Sequence, residues 1–270
     1  MNECVSETSS MSTNTPSQLQ SLFSLQGRVA LVTAGASGIG QALAIGLAQA
    51  GADVAITRHS QSSEDTEAAV RALGRQCLVI ATDLARPEAP AEVLAQTLKH
   101  YGRIDVLVNN AGIIRRAPAA EVRDEDWDAV LDLNLDAAWR LCQGAGRQML
   151  EQGSGRIINI ASLLSMQGGI RVPAYAAAKH ALLGLTRALA NEWAGQGVGV
   201  NAIAPGYIET ANTAPLRADP ERSRQVMERI PAGRWGQAQD LVGAAVFLAS
   251  PASAYMHGQL LVVDGGWMAR

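Results

Sequence analysis

Short apolar runs alternate with helical stretches along this chain, and this alternation limits its fold more than any other feature. The runs cover residues 28–33, 53–57, 76–81, 104–108, 156–161, 198–203 and 260–264. Most of them end in glycine or short polar residues before a helical pattern begins. Strands that alternate with helices form parallel sheets with right-handed crossovers. We therefore predict an α/β fold of the Rossmann type, a doubly wound, seven-stranded parallel sheet in a single domain.

The composition agrees with buried parallel strands. Hydrophobic residues make up 48% of the 270 residues, aromatic residues make up 4%, and 26 residues are glycines. This balance is typical of strands covered by alanine-rich helices. The net charge is −3 and the basic residues are scattered, which argues against a nucleic-acid partner. No apolar run reaches the length of a membrane span, so no membrane partner is predicted.

The amino-terminal segment differs from the rest of the chain. Residues 1–24 are rich in Ser, Thr, Gln and Asn and lack the basic start and apolar core of a signal peptide. We predict a disordered extension there and one domain over residues 25–270. Three cysteines (Cys4, Cys77 and Cys142) and four histidines show no metal-ligand or disulfide spacing, so no metal site is predicted. A reducing, cytoplasmic location is expected.

A glycine-rich turn at residues 34–40 follows the first apolar run and leads into a helical pattern. Glycines let backbone N–H groups approach a pyrophosphate, and the amino terminus of the next helix favours its charge. The alternative is a tight strand-to-helix turn that binds no ligand. The predicted phosphate-binding residues are Thr33, Gly35, Ser37, Gly38, Ile39 and Gly40.

Other candidate cofactor residues follow the next three runs. Arg58 stands where an acidic residue would accept the ribose hydroxyls of NAD, and its guanidinium could bind the 2′-phosphate of NADP. The choice between NAD and NADP therefore stays open. Asp83, followed by Leu84, is placed to accept a hydrogen bond from an adenine amino group. The fourth run ends at Asn110, Ala111 and Gly112, although Asn–Gly-rich strand ends are also common turn chemistry.

A tyrosine and a lysine carry the chemistry that we predict. Tyr175 and Lys179 are four residues apart in an alanine-rich helical stretch, which puts both side chains on one face. A free phenol has a pKa of about 10, and an ammonium about 4 Å away would lower that pKa by about three units, towards the range of a general acid/base. Ser162, at the end of the fifth run, would hold the substrate oxygen. The alternative is a surface tyrosine beside a solvated lysine.

Asn134 lies among apolar residues in a helical pattern over residues 124–150. An amide in that position is often satisfied by the backbone inside a core. The functional alternative is that it holds a water linking Lys179 to solvent.

Taken together, these residues resemble, in type and order, the short-chain dehydrogenase/reductase family over residues 27–270. The resemblance implies that Tyr175 is the acid/base and that Lys179 lowers its pKa and binds the nicotinamide ribose. It also implies that Ser162 orients the substrate and that Asn134 supports a proton relay. An NAD or NADP cofactor, a small-molecule substrate and a homotetramer follow from the same resemblance. After the sixth run it assigns the cofactor residues Pro205, Gly206, Ile208 and Thr210.

One residue departs from the family pattern. Members usually carry glycine where this chain has Ala34. A Cβ in a tight turn restricts positive φ and the close approach of a phosphate. We expect this departure to affect cofactor affinity rather than the fold.

Three segments that border the predicted site narrow the substrate class. Residues 109–116, 165–173 and 201–236 resemble dehydrogenases of deoxy and keto-deoxy hexonates, with gluconate 5-dehydrogenases as the alternative. A sugar acid needs a carboxylate receptor, and a guanidinium can bind a carboxylate through two hydrogen bonds. Our hypothesis is that at least one of three arginines binds it; the alternative is that two of them are surface residues or subunit contacts. The predicted substrate residues are Arg115, Arg116, Gln167, Arg171 and Tyr207.

A function of another class is a dinucleotide-binding regulator that kept the fold and lost turnover. The presence of Ser162, Tyr175 and Lys179 weighs against it, since a sensor without turnover has no need of them.

Overall fold

The structure, a computed structural model, describes residues 17–270. Its strands in this range are β1 Val29–Val32, β2 Asp53–Arg58, β3 Cys77–Ala81, β4 Val106–Asn109, β5 Gly155–Ile160, β6 Val198–Pro205 and β7 Leu260–Val263. Its α-helices are α1 Gln18–Leu22, α2 Gly38–Gln49, α3 Glu64–Ala72, α4 Ala89–Tyr101, α5 Asp124–Leu131, α6 Ala137–Gln152, α7 Pro173–Trp193, α8 Ala214–Ala218, α9 Pro220–Arg229 and α10 Val242–Ala249. The alternation of strand and helix thus follows the pattern in the sequence.

All seven strands lie parallel in one sheet, in the order β3-β2-β1-β4-β5-β6-β7. The predicted doubly wound Rossmann-type sheet is therefore confirmed. The chain winds outward from β1 to β3 and then returns to place β4 against the other edge of β1. The direction of winding reverses between β1 and β4, and ligands bind such sheets at the carboxyl ends of the strands beside that reversal.

Two apolar cores cover the faces of the sheet. On one face Leu43 and Leu47 of α2 pack with α10 against buried strand residues such as Ile158. On the other face Leu141 and Met149 of α6 pack with residues of β1, β5 and α7. Because both faces are covered, the strands are apolar along most of their length, as parallel strands require.

The helical pattern over residues 124–150 is not one helix in the structure. A π-helical segment, Asp132–Asp136, separates α5 from α6 and contains the buried Asn134. A π-helical turn adds one residue to a helix and is common at functional sites. It shifts the apolar face by little more than one position, so the sequence pattern does not reveal the interruption.

The first part of the predicted disordered extension, residues 1–16, lies outside the described residues. Within the remainder, Ser17 and Gln20 form a capping box at the start of α1, whose side chains are exposed. Among residues 17–270, no helix has both the length and the apolar character needed to cross a membrane.

Candidate active site

The turn between β1 and α2 is held by its own backbone and by β2. The backbone N–H of Ala34 donates to Thr57 Oγ1 (2.9 Å), and that of Gly35 donates to the Thr57 carbonyl (2.9 Å). Gly40 packs so tightly that a Cβ there would collide with the Ala34 carbonyl and the Asn110 side chain. The turn therefore presents bare backbone at the amino terminus of α2, as a bound phosphate requires.

Ala34 adopts the left-handed conformation, with φ of 51°. The alanine at the usual glycine position has thus left the shape of the turn in place and stores strain there. For an L-residue this conformation costs about 1–2 kcal/mol.

The ends of β1 and β4 are joined by hydrogen bonds at the switch point. Thr33 Oγ1 accepts from the backbone N–H groups of Asn110 and Ala111, both at 2.9 Å. The Asn110 side chain in turn donates to the carbonyls of Thr33 (3.0 Å) and Ala34 (3.3 Å). Two predicted cofactor segments, 33–40 and 110–112, therefore form one rigid unit.

Asn134 is buried, and its amide is engaged by the backbone of one residue. Its Oδ1 accepts from the N–H of Ile113 (3.0 Å) and its Nδ2 donates to the Ile113 carbonyl (2.8 Å). Gly112 lies directly against it, since a Cβ there would collide with Asn134 Oδ1 and come within 3.9 Å of Lys179 Nζ. This geometry favours the alternative of an amide satisfied by the backbone, and it places that amide beside the lysine.

Helix α7 carries Tyr175 and Lys179 in its first two turns, with the ammonium 5.6 Å from the centre of the phenol ring. Lys179 is buried, its Nζ donates to the Ile160 carbonyl at the end of β5 (2.7 Å), and burial lowers its pKa to about 8. Ser162 Oγ, two residues beyond β5, accepts from the N–H of Leu164 (3.2 Å). The serine, tyrosine and lysine thus meet at the carboxyl edge of the sheet.

The pKa of Tyr175 differs from the expectation. Burial raises it above its ordinary value, and a hydrogen bond with Ser162 and the charge of Arg116 only partly oppose that rise. The expected fall in the pKa of Tyr175 takes account of the ammonium only, whereas burial also removes water from the phenolate and so disfavours the charged form.

The structure separates the three candidate arginines. Arg115 Nε lies 3.5 Å from Asp126 Oδ1 and is directed to that carboxylate. All three arginines are exposed; among the described residues the Arg171 side chain makes no hydrogen bond or ion pair, and its backbone carbonyl accepts from the N–H of Ala117 (3.1 Å). Arg116 donates to the Asn212 carbonyl (3.4 Å), and it is the arginine whose charge acts on Tyr175. Arg116 is therefore the best placed of the three to face a substrate.

The other predicted substrate residues meet in an aromatic cluster that the sequence did not reveal. Tyr207 packs against Trp235 and Trp267, with ring centres 5.6 Å and 4.6 Å apart. Gln167 Oε1 accepts from Trp267 Nε1 (3.4 Å). Trp267 is 100 residues from Gln167 in the chain, and no local pattern indicates that contact.

The remaining cofactor candidates border the same edge of the sheet. Asp83 follows β3, and its Oδ1 accepts from the N–H of Ala85 (3.0 Å). The Thr210 methyl lies 3.8 Å from the position of a Cβ on Gly38, so the segment after β6 reaches the glycine turn. These segments lie at the carboxyl edge of the sheet, where ligands bind such folds. Arg58 ends β2, Leu84 is buried after β3, Pro205 ends β6, and Gly206 and Ile208 follow β6.

A cavity of about 260 Å³ lies on the same side of the sheet, between the segments that follow β6 and β7. Tyr207, Arg234, Asp240 and Asp264 are among the residues that line it, whereas Ser162, Tyr175 and Lys179 are not. Its place in the fold is therefore next to the candidate site rather than at the reacting groups.

Known proteins resemble this chain over nearly its whole length. The family model described as enoyl-(acyl carrier protein) reductase matches residues 33–268. A 2-dehydro-3-deoxy-D-gluconate 5-dehydrogenase from Bacillus subtilis is 54% identical over 252 residues, which cover 93% of this chain and 99% of that relative.

Two solved structures show the same fold. A Beutenbergia cavernae protein with NADP bound at low occupancy is 56% identical and has a TM-score of 0.89, covering 92% of this chain and 100% of that one. A gluconate 5-dehydrogenase from Burkholderia cenocepacia in complex with NADP and tartrate is 39% identical and has a TM-score of 0.88, covering 93% and 99%. Sequence, fold and arrangement of the site agree, and this chain belongs to the short-chain dehydrogenase/reductase family.

Proposed function

We propose that this protein is an NAD(P)-dependent oxidoreductase that interconverts a secondary alcohol and a ketone on a sugar acid. The observation that carries the proposal is the meeting of Ser162, Tyr175 and Lys179 with the charge of Arg116 beside the switch point. The most specific form is the reaction of a 2-dehydro-3-deoxy-D-gluconate 5-dehydrogenase, also described as a 2-deoxy-D-gluconate 3-dehydrogenase. The name and the 54% identity of the Bacillus subtilis relative support it.

In this proposal the protein moves a proton and positions the reactants. A bound NAD(P) supplies the hydride acceptor or donor. Tyr175 takes the hydroxyl proton during oxidation and returns it during reduction, and Ser162 holds the reacting oxygen. The charge of Arg116 favours the phenolate, which burial would otherwise disfavour, and Lys179 Nζ lies 5.6 Å from the centre of the phenol ring. Asn134 holds Ile113 and Gly112 against the lysine.

The same proposal assigns the cofactor residues by the chemistry of each strand end. The glycine turn and the amino terminus of α2 take the pyrophosphate, and Asp83 takes the adenine amino group. Lys179 takes the nicotinamide ribose, and Ile208 with Thr210 takes the carboxamide. Arg58 suits the 2′-phosphate of NADP, and two related structures hold NADP. The absence of an acid at this position argues against strict selectivity for NAD, and the choice between NAD and NADP stays open.

A panel of hexonates and keto-deoxy hexonates, assayed with NAD and with NADP through the absorbance of the reduced nicotinamide, tests the proposal. We expect turnover with 2-dehydro-3-deoxy-D-gluconate or 2-deoxy-D-gluconate above that with D-gluconate. The Tyr175→Phe variant is the matched control, and it should bind cofactor normally but lose turnover. Unchanged activity in that variant contradicts the assignment of Tyr175.

The same panel of substrates also tests two other functions. Preference for D-gluconate would make the protein a gluconate 5-dehydrogenase, which the likeness to the Burkholderia cenocepacia enzyme favours. Cofactor binding without turnover of any acid would make it a dinucleotide-binding regulator.

The proposal includes a homotetramer in the cytoplasm, with sugar acids rather than nucleic acids or membranes as partners. Trp127 and Trp139 on α5 and α6 are more than one-third exposed, and burial of such side chains between subunits would be favourable. Light scattering should give four times the chain mass of 28.3 kDa, and a monomer mass would contradict the assembly.

A further inference from the structure

Trp267 has an almost fully buried indole, which contacts the segment after β6, the end of α9 and Gln167. It packs on Tyr207 after β6 and shares an apolar cluster with Val226 and Ile230 at the end of α9. The guanidinium of Arg229 lies 4.1 Å from its ring centre, a favourable cation–π distance. Contacts on several sides hold the indole in one orientation.

The indole fixes which end of the Gln167 amide faces it. Trp267 Nε1 lies 3.4 Å from Gln167 Oε1, and an indole N–H can only donate. The carbonyl end of the amide must therefore face the indole, because the NH₂ end would bring two donors together. The amide nitrogen of Gln167 is left as a donor directed elsewhere.

Gln167 lies within a few residues of the reacting groups. Its backbone N–H donates to the carbonyl of Leu163 (3.0 Å), the residue after Ser162. Ser165, between them, donates from its hydroxyl to the Lys179 carbonyl (2.7 Å). The 162–167 segment is thereby tied to α7, and Gln167, which is only partly buried, lies at its end.

We propose that Trp267 is a positioning residue that sets Gln167 as a hydrogen-bond donor to an oxygen of the substrate. The inference rests on the proposed function, since the oxygen is a hydroxyl, carboxylate or keto oxygen of a sugar acid. It adds a residue close to the end of the chain to those that determine substrate selectivity. If the indole N–H is removed, the amide is free to flip and to present its carbonyl to the substrate.

The test compares Trp267→Phe, Gln167→Leu and the double variant in steady-state kinetics. Trp267→Phe replaces the indole by a smaller phenyl ring and removes the donor, and we expect KM to rise about three- to tenfold with kcat within twofold. Gln167→Leu should raise KM at least as much. The double variant should match Gln167→Leu alone, because Trp267 acts through Gln167.

Trp235→Phe is the matched control. Trp235 belongs to the same cluster and packs on Tyr207, but among the described residues its buried Nε1 has no hydrogen-bond partner. Loss of that N–H should leave KM unchanged. The inference is overturned if KM rises by a similar factor in both tryptophan variants, or if the effects in the double variant are additive. Trp267 would then act through its packing and not through its hydrogen bond to Gln167.

A readout without substrate separates this inference from the proposed function. The indole N–H proton of Trp267 should move upfield in the NMR spectrum of Gln167→Leu, and that of Trp235 should stay in place. An enzyme that turns over no sugar acid refutes the proposed function, whereas a Trp267 signal that does not respond to Gln167→Leu refutes the inference.

Discussion

Ala34 is held in a conformation that glycine adopts without strain. Its φ is 51°, and the hydrogen bonds of its N–H with Thr57 and of its carbonyl with Asn110 keep it there. The family pattern places glycine at this position, so the sequence marked the site of the strain. Only the φ angle in the structure shows that the residue is strained and that the left-handed backbone is the cause.

Replacement of Ala34 by glycine should stabilise the fold. Relief of the left-handed strain gains about 1–2 kcal/mol, and the larger entropy of glycine in the unfolded chain takes back part of it, leaving about 0.5–1 kcal/mol. Urea unfolding measures the difference. Ala36→Gly in the same turn is the control, because Ala36 has no positive φ and should lose stability. If both substitutions changed the free energy of unfolding equally, the left-handed conformation of Ala34 would not destabilise the protein.

Arg116 and Arg115 are adjacent in sequence but differ in what they face. Arg116→Ala should raise KM for sugar acids about ten- to a hundredfold, the range expected for loss of a charge-assisted hydrogen bond of about 1.5–3 kcal/mol. Arg115→Ala, which removes a partner of Asp126, should change KM little. Equal effects in kinetics with a sugar acid would contradict the separation of the two arginines.

The same Arg116 variant should shift the pH profile. The charge of Arg116 lowers the pKa of Tyr175, so its removal raises that pKa. Oxidation needs the phenolate, and the rising limb of kcat/KM against pH should therefore move to higher pH. If the profiles of kcat/KM against pH coincide for the variant and the unchanged protein, Arg116 does not influence the pKa of Tyr175.

Among the elements, strands β1 and β4 are joined by side chains at both of their ends. Thr33 links them at their carboxyl ends, and Asp105 links them at their amino ends, accepting from the N–H of Val29 (2.9 Å) and from Arg28 and Arg103. Burial opposes the charge on Asp105, but these hydrogen bonds hold its pKa below the usual range.

Asp105 should make the protein sensitive to acid. Because its pKa is lower in the folded state, its stabilising contribution is present above its ordinary pKa of about 4 and is lost as pH falls below that value. Asp105→Asn should lower the free energy of unfolding at pH 7 by about 2–4 kcal/mol and flatten its dependence on pH below 4. Asp128→Asn, an exposed change on α5, is the control and should do neither.

Over the whole molecule, the sequence predicted what depends on local pattern. The strands, their parallel arrangement and the grouping of Ser162, Tyr175 and Lys179 follow from apolar runs and fixed spacings. The choice among the arginines does not, because it depends on which loop each guanidinium reaches. The Trp267–Gln167 contact joins positions 100 residues apart, and the pKa of Tyr175 depends on burial, which a sequence does not state.

Hydrogen exchange should divide the molecule into a rigid and a mobile part. Helices α8 and α9 bury a single side chain, Val226, whereas β1 and β4 are buried throughout. Segments with few buried contacts open at low free-energy cost. Amides of residues 214–229 should exchange before those of β1 and β4 and slow down when NADP is added. Uniform exchange across these elements would contradict the division.

We expect the joined ends of β1 and β4 to stay together while a cofactor enters and leaves, since Thr33 and Asp105 link the pair at both ends. Helices α8 and α9 bury one side chain between them. The rate of product escape should therefore respond to changes in those two helices rather than to changes in the sheet.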